Sequence, residues 1–243
     1  MLKLMDLLTE GVHDKGIFKA VFVAGGPGSG KSYIAKQLFG IPDKLNISMS
    51  GMKMVDQDKE YKYLLKKHGF DPEFLSQFPE DLFTHISDEM RGFTRDLAVA
   101  RKKGYMKGKL GMIIDGTGHK FQKIKQHRDE LGKAGYDCYM VFVNTSLEVA
   151  QKRNQERDRI LPPKLLQKSW EDVQKNLGGY KALFSGKFAL VDNSQYLDPD
   201  EARHKFTNLV KDHIQQWSTE PIKNSIGQKW VQDQFKLQKA GIK

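Results

Sequence analysis

Gly25-Gly26-Pro27-Gly28-Ser29-Gly30-Lys31-Ser32 decides how the rest of this 243-residue chain is read. The stretch satisfies G-x-x-x-x-G-K-[ST], the Walker A pattern, in which backbone amides wrap phosphate oxygens. Glycines let the loop turn with no Cβ in the way, so successive N–H groups converge on an anion. Upstream, residues 17–24 (IFKAVFVA) are a β-branched and aromatic run that predicts a buried parallel strand. Downstream, residues 32–39 carry Ile34, Ala35 and Leu38 at helical spacing, and such a helix points its positive end at the same anion. Gly26, Gly28, Ser29, Gly30, Lys31 and Ser32 are therefore expected to hold a nucleotide. Lys31 would reach the β- and γ-phosphates and the Ser32 hydroxyl would bind Mg²⁺.

Working outward, further strands are predicted over 52–55, 109–114, 136–143 and 188–191. Helices are predicted over 59–68, 72–78, 79–103, 119–134, 146–157, 164–177 and 199–217, with a weak one near 230–237. Residues 1–8 resemble a short amphipathic helix. Strands alternating with helices imply βαβ units, a parallel sheet and an α/β fold class. Ligands of such sheets bind beyond the carboxyl ends of the strands. The glycine-rich loop, Asp56 to Asp58, Asp115 to Thr117 and Asn144 all fall there. The boundaries expected are one domain over 1–218 and a basic C-terminal tail over 219–243.

Forty Lys and Arg against thirty Asp and Glu leave a formal charge of +10. That excess favours a polyanionic partner, nucleic acid first, with a lysine-rich solvated surface as the alternative. One cysteine, Cys138, excludes an intrachain disulfide and suits a reducing cytoplasm. It lies in a predicted core strand, where a buried inert thiol is expected. No apolar run reaches the length of a membrane span, and no signal-peptide pattern opens the chain, so no membrane association is expected.

Three groups of polar residues carry candidate chemistry. Asp56 and Asp58 follow the second strand, where a carboxylate can take the proton of an attacking hydroxyl. Asp58 is the first choice, and the alternative is an N-cap for the helix starting near Lys59. Asp115 ends the run MIID, the Walker B-like place for a carboxylate that holds Mg²⁺, or else it is a turn residue before Gly116. Thr117 would orient substrate or cap the next helix. Arg153, Arg157 and Arg159 bracket a segment ending at Pro162; their planar forks suit phosphate oxygens, and the alternative is a solvated helical face.

Together GGPGSGKS, VDQD, IIDGT and the run FVNTS followed by RNQERDRILP resemble the P-loop kinases, most closely the polynucleotide kinase branch, over residues 17–192. Zeta-toxin-like kinases and phage kinases of hydroxymethylated bases in DNA are similar in pattern. The resemblance implies a P-loop NTPase sheet of order 2-3-1-4-5 flanked by helices, with a helical lid at about 153–165. It implies ATP and Mg²⁺, with Lys31, Asp58, Arg153 and Arg157 catalytic and Arg153 also at the nucleotide. Asp56, Asp58, Asp115 and Thr117 would face substrate, and Ser32 and Asp115 the metal. The implied activity is transfer of the γ-phosphate to a hydroxyl, on a polynucleotide 5′-end or a hydroxymethylated base. A small-molecule kinase of nucleosides, nucleotides or nucleotide sugars is the alternative, and an NTP-binding assembly or switch protein without an acceptor is another. The location implied is cytoplasmic, in a host cell if the chain is phage-encoded. One departure stands out: Tyr61 occupies the position of the family's substrate-gripping arginine, with Lys59 or Lys62 as candidates to replace it.

Overall fold

The computed structural model describes residues 12–14, 16–42, 46–71, 78–156, 160–195, 201 and 210–241. The expected helix over 1–8, residues 72–77 of the one expected over 72–78, most of 199–217, and Arg157 and Arg159 lie outside the described residues.

Residues that are apolar at consecutive positions can only be central strands of a covered sheet. β1 (Lys19–Ala24) is buried at all its positions, and it pairs in parallel with β3 (Met112–Gly116) on one side and β4 (Asp137–Asn144) on the other. β2 (Lys53–Val55) adds to β3 and β5 (Phe188–Asp192) to β4, also in parallel. The order β2-β3-β1-β4-β5 is the one the resemblance implies.

Alternation along the strands sorts the core into two layers. Val21, Val23, Ile113, Val141 and Val143 meet Ile34, Ala35 and Leu38 of α1 (Lys31–Phe39) on one face. Ala20, Phe22, Met112, Met140 and Phe142 meet Leu131 of α4 (Phe121–Lys133) and Val173 and Tyr180 of α6 (Pro163–Leu183) on the other. Each large side chain so buried contributes roughly 1.5–3 kcal/mol. A smaller cluster, Leu65, Ile86 and Met90, joins α2 (Gln57–Lys67) to α3 (Glu80–Lys107) beside the β2 edge.

Several boundaries differ from expectation. β3 starts at Met112, not Lys109, because Lys109 turns at φ 59°; it runs through Asp115 to Gly116. α6 runs to Leu183, past the end expected at Leu177 before Gly178-Gly179. A Cβ at Gly179 would come within 2.8 Å of the Phe121 ring, so glycine here serves helix packing. α2 begins at Gln57 with Asp56 as its cap.

After β5, a π-helical turn (Val210–Gln215) leads into α7 (Gln216–Thr219), whose Trp217 stacks on Tyr139 with ring centroids 4.9 Å apart. α8 (Ser225–Lys239), capped by Asn224, is longer than the helix expected near 230–237. It packs back on the domain: Trp230 meets Phe18 edge-on at 5.4 Å, and Asn224 Nδ2 donates to Gly132 O at 2.8 Å. Those contacts lie at the amino ends of the strands, opposite the glycine-rich loop. Among the described residues no helix is long and apolar enough to cross a membrane.

Candidate active site

The loop leaving β1 is moulded by its neighbours as much as by its own glycines. Gly28 has φ 74°, and a Cβ there would lie 2.5 Å from Ala150 O in α5 (Leu147–Gln155). Gly30, at φ 78°, is the N-cap of α1, and its missing Cβ leaves room for the Asn193 amide. Only glycine satisfies both the backbone angle and the close approach.

Asn193, just past β5, ties this loop to the far strand. Its Nδ2 donates to Ser29 O at 2.8 Å, and its Oδ1 accepts from Arg153 Nη2 at 3.3 Å. Arg153 also donates to Asn193 O at 3.1 Å, Gln195 O at 3.1 Å and Gly28 O at 3.4 Å. The guanidinium expected at the nucleotide therefore also braces the loop. Next to it, Asn154 and Leu161 exchange two hydrogen bonds, Nδ2 to O at 2.9 Å and N to Oδ1 at 3.0 Å. These close the base of the segment that contains Arg157.

Lys31 and Asp115 meet across the gap between α1 and the tip of β3. Lys31 Nζ stands 3.1 Å from each carboxylate oxygen, hydrogen-bonded to Oδ2, and Ser32 Oγ donates to Oδ2 at 3.4 Å. Burial pushes the Asp115 carboxyl up to about 6; the Lys31 ammonium pulls it down and Asp56 and Asp58 push it up. For Lys31, burial works against the charge, but Asp115, Asp58 and Asp56 outweigh it and hold the ammonium above its ordinary value. Asp56, Asp58 and Asp115 therefore gather round one lysine.

Asp56 and Asp58 divide the roles that the sequence left open. Asp56 caps α2, its Oδ1 accepting from Asp58 N at 2.9 Å and Lys59 N at 3.2 Å. Asp58 sits in the first turn with an exposed side chain. Thr117 pairs with His119 Nδ1 in the loop after β3. Burial, then Lys120, holds the His119 imidazole below its ordinary pKa.

α6 fixes the loops from above. Trp170 Nε1 donates to Thr145 O at 2.8 Å and Gln174 Nε2 to Asn144 Oδ1 at 2.8 Å. Tyr180 OH and Asn176 Nδ2 both donate to Gly118 O, at 2.8 and 3.1 Å. None of these belongs to a short motif, and sequence reasoning missed them. Asn193 alone carried a signal, since it directly follows a strand at the ligand-binding edge.

ATP and Mg²⁺ fit this arrangement. Ser29 Oγ and Asp115 Oδ1 are buried without a hydrogen-bond partner among the described residues. A divalent cation would satisfy Asp115 Oδ1, whereas Ser29 Oγ is turned in beneath Gly25 towards the β4 backbone. Ser32 and Asp115 would hold the cation, and the loop amides with Lys31 the phosphates.

The AAA domain family matches residues 21–178, well over half of the chain. Among solved structures, the PezAT chromosomal toxin-antitoxin system of Streptococcus pneumoniae aligns at 14% identity and TM-score 0.50, over 93% of this chain and 89% of that one. A gluconokinase from Sinorhizobium meliloti 1021 aligns at 17% identity and TM-score 0.44, over 81% and 95%. The Pnkp1/Rnl/Hen1 RNA repair complex aligns at 16% identity and TM-score 0.47, over 67% of this chain and 46% of that one. No curated protein matches. With the strand order, the family match makes the fold that of a P-loop NTPase.

Proposed function

We propose, for a chain that belongs to the AAA domain family, that it is a kinase moving the γ-phosphate of ATP to a hydroxyl, most readily one on nucleic acid. The observation that carries the reading is the division between the two aspartates of α2. Asp56 takes the capping role, so the Asp58 carboxylate is left exposed beside Lys31 and Asp115.

In this mechanism the loop amides and Lys31 hold the phosphates and offset the charge that gathers on the migrating group. Mg²⁺, held through Ser32 and Asp115, supplies further positive charge to the phosphate oxygens. Asp58 accepts the hydroxyl proton as the new oxygen–phosphorus bond forms and the bond to ADP breaks. The Arg153–Asn193 brace keeps the loop in shape while this happens. The nucleic-acid acceptor is supported by the net charge of +10.

Labelled γ-phosphate transfer tests the reading against oligonucleotides with 5′-hydroxyls, duplexes with hydroxymethylated bases, nucleosides and nucleotide sugars. Asp58→Asn is expected to keep ATP binding and lose about 10²–10⁴-fold in turnover. Full transfer in that variant removes Asp58 as the base. Label confined to the small acceptors replaces nucleic acid with the small-molecule reading, and ADP release with no labelled acceptor replaces the kinase.

A further inference from the structure

α3 and α4 pack on the same layer of the core, through Tyr105 and Met106 of one and Phe121 and Ile124 of the other. They run in the same direction, since each delivers the chain to the amino end of a parallel strand, β3 and β4 in turn. A cross-link fixes their register: Lys102 Nζ of α3 donates to Glu130 Oε2 of α4 at 2.7 Å. Seven residues earlier on each helix, two turns and about 10 Å nearer the catalytic end, the same faces carry Arg95 and Lys123. At this level both partners are cations. Both side chains are exposed, and among the described residues neither forms an ion pair.

Lys120, one turn before Lys123, carries the positive flank of α4 up to the loop that leaves Asp115. His127, one turn after Lys123, sits among the cations. Burial, then Lys102 and Lys123, hold its imidazole below its ordinary pKa, and Glu130 offsets them only in part. The carboxylates that border this flank are already engaged: Glu130 with Lys102, Asp129 with Arg128 and Asp172 with Lys175. Asp88, the next carboxylate on this stripe of α3, lies two turns beyond Arg95. Like charges gathered across a groove repel, so the arrangement suits an anion lying between them. Cations repeated along a helix flank and faced by another from the neighbouring helix match the phosphates of a strand rather than one small anion. We infer that the groove between α3 and α4, lined by Arg95, Lys120 and Lys123, binds the sugar–phosphate backbone of a single nucleic acid strand that runs on from the catalytic end. The inference rests on the nucleic-acid reading above for the direction of the strand. Contacts of this kind hold and position a strand without reading its sequence.

The experiment uses the full chain and a fluorescein-labelled single strand of about twenty nucleotides, longer than one typical binding site, with a free 5′-hydroxyl. Anisotropy is followed over a range of salt. Arg95→Gln, Lys120→Gln and Lys123→Gln combined should raise Kd about tenfold or more at about 0.1 M salt. The slope of log K against log salt should flatten by about one for each cation removed. All three side chains are exposed, so glutamine should leave the melting temperature close to that of wild type. Lys229→Gln, Lys236→Gln and Lys239→Gln combined remove the same charge from α8, at the amino ends of the strands, and should leave Kd and slope as in wild type. Transfer gives a second readout. The ratio of kcat/KM for the long strand to that for a dinucleoside monophosphate, too short to span the groove, should fall about tenfold in the α3–α4 variant and stay as in wild type in the α8 variant.

Wild-type Kd and slope in the α3–α4 variant would overturn the inference. An equal loss in the α8 variant would overturn it as well, since bulk charge would then explain the binding. Label on short acceptors with no salt-dependent binding of the strand would leave the kinase standing and overturn the inference. A strand that binds through Arg95, Lys120 and Lys123 but takes no label would uphold the groove and defeat nucleic acid as the acceptor.

Discussion

The two ends of the sheet both bury lysines beside carboxylates, and they treat them in opposite ways. At the amino ends of the strands, Lys19, Lys187, Lys223, Asp137 and Glu220 answer one another. Lys19 Nζ donates to Glu220 O at 2.7 Å, and Lys187 pairs with Asp137 at 2.6 Å. The other Asp137 oxygen accepts from Lys223 N at 2.6 Å, while Glu220 takes both Lys223 Nζ, at 2.7 Å, and Tyr139 OH. At the carboxyl ends, Lys31 and Asp115 pair, but among the described residues Asp115 Oδ1 has no hydrogen bond, and the charges of Asp58 and Asp56 add to that of Asp115 at the lysine. A satisfied network fastens a chain. An under-satisfied one is arranged for something that arrives later.

Breaking one charge at each end should separate these roles, and it yields the largest effect. Lys31→Ala should remove phosphoryl transfer by about 10³-fold or more, the scale of losing a positive group aimed at developing charge. Thermal stability should fall as well, because Asp115 is left buried without its cation, so the comparison is read in turnover per folded molecule. Asp137→Ala should instead leave turnover per folded molecule intact while costing about 2–3 kcal/mol of stability. The figure is kept below that of a fully buried pair because Lys187 retains 24% side-chain exposure. Denaturant melts and single-turnover transfer on both variants check the pair. A stable, inactive Asp137→Ala would dissolve the distinction.

A smaller effect should come from the brace. Asn193→Ala leaves Ser29 O and one Arg153 N–H without their partner. The loop should hold its phosphate-binding shape less of the time, raising Kd for ATP by about tenfold for each 1.4 kcal/mol lost. kcat at saturating ATP should change less than Kd, since the Asn193 side chain bonds to the loop and to Arg153 and to neither Lys31 nor Asp58. Titration calorimetry with ATP checks this, and an Asn193→Ala variant with wild-type affinity would reduce the brace to a fold contact.

These residues also mark how far the sequence could be read. The glycine-rich loop was legible because its requirements are local: a φ above zero at Gly28 and Gly30, a lysine and a hydroxyl after them. β1 and β4 were legible because a run buried on both faces has no polar alternation to blur it. Asp56 and Asp58 were not separable, since both are good caps two residues apart and only the first turn of α2 decides between them. Gly178-Gly179 looked like a helix stop until Phe121, far away in sequence, explained it. Arg153 could be recognised as part of a phosphate-binding segment, but not as turned under the loop, because its partners lie 40 and 125 residues away.

The smallest effect is a pair of pH slopes with opposite signs. Burial raises the Asp115 carboxyl to about 6, against 3.8 for the unperturbed group. Between those values the folded chain binds more protons than the unfolded one, so the stability this group contributes is complete below about 3.8 and is lost as pH rises through about 6. Glu220 has the other sign. Burial raises it, but hydrogen bonds from Lys223 and Tyr139 outweigh that and hold it below its ordinary value. Its contribution is present above the ordinary range of a glutamate and is lost as pH falls through its lowered value. The difference in stability between wild type and Asp115→Asn should therefore shift against the wild type from pH 4 to about 6.5. The difference between wild type and Glu220→Gln should shift in its favour as pH rises out of the acid range. Mg²⁺ and ATP should bind more tightly as pH passes about 6, because the cation needs Asp115 ionised. Carboxyl resonances followed by NMR, with and without MgATP, read the same event directly, and an Asp115 that titrates near 4 in the ligand-free chain would mean that the two ends of the sheet do not differ as described.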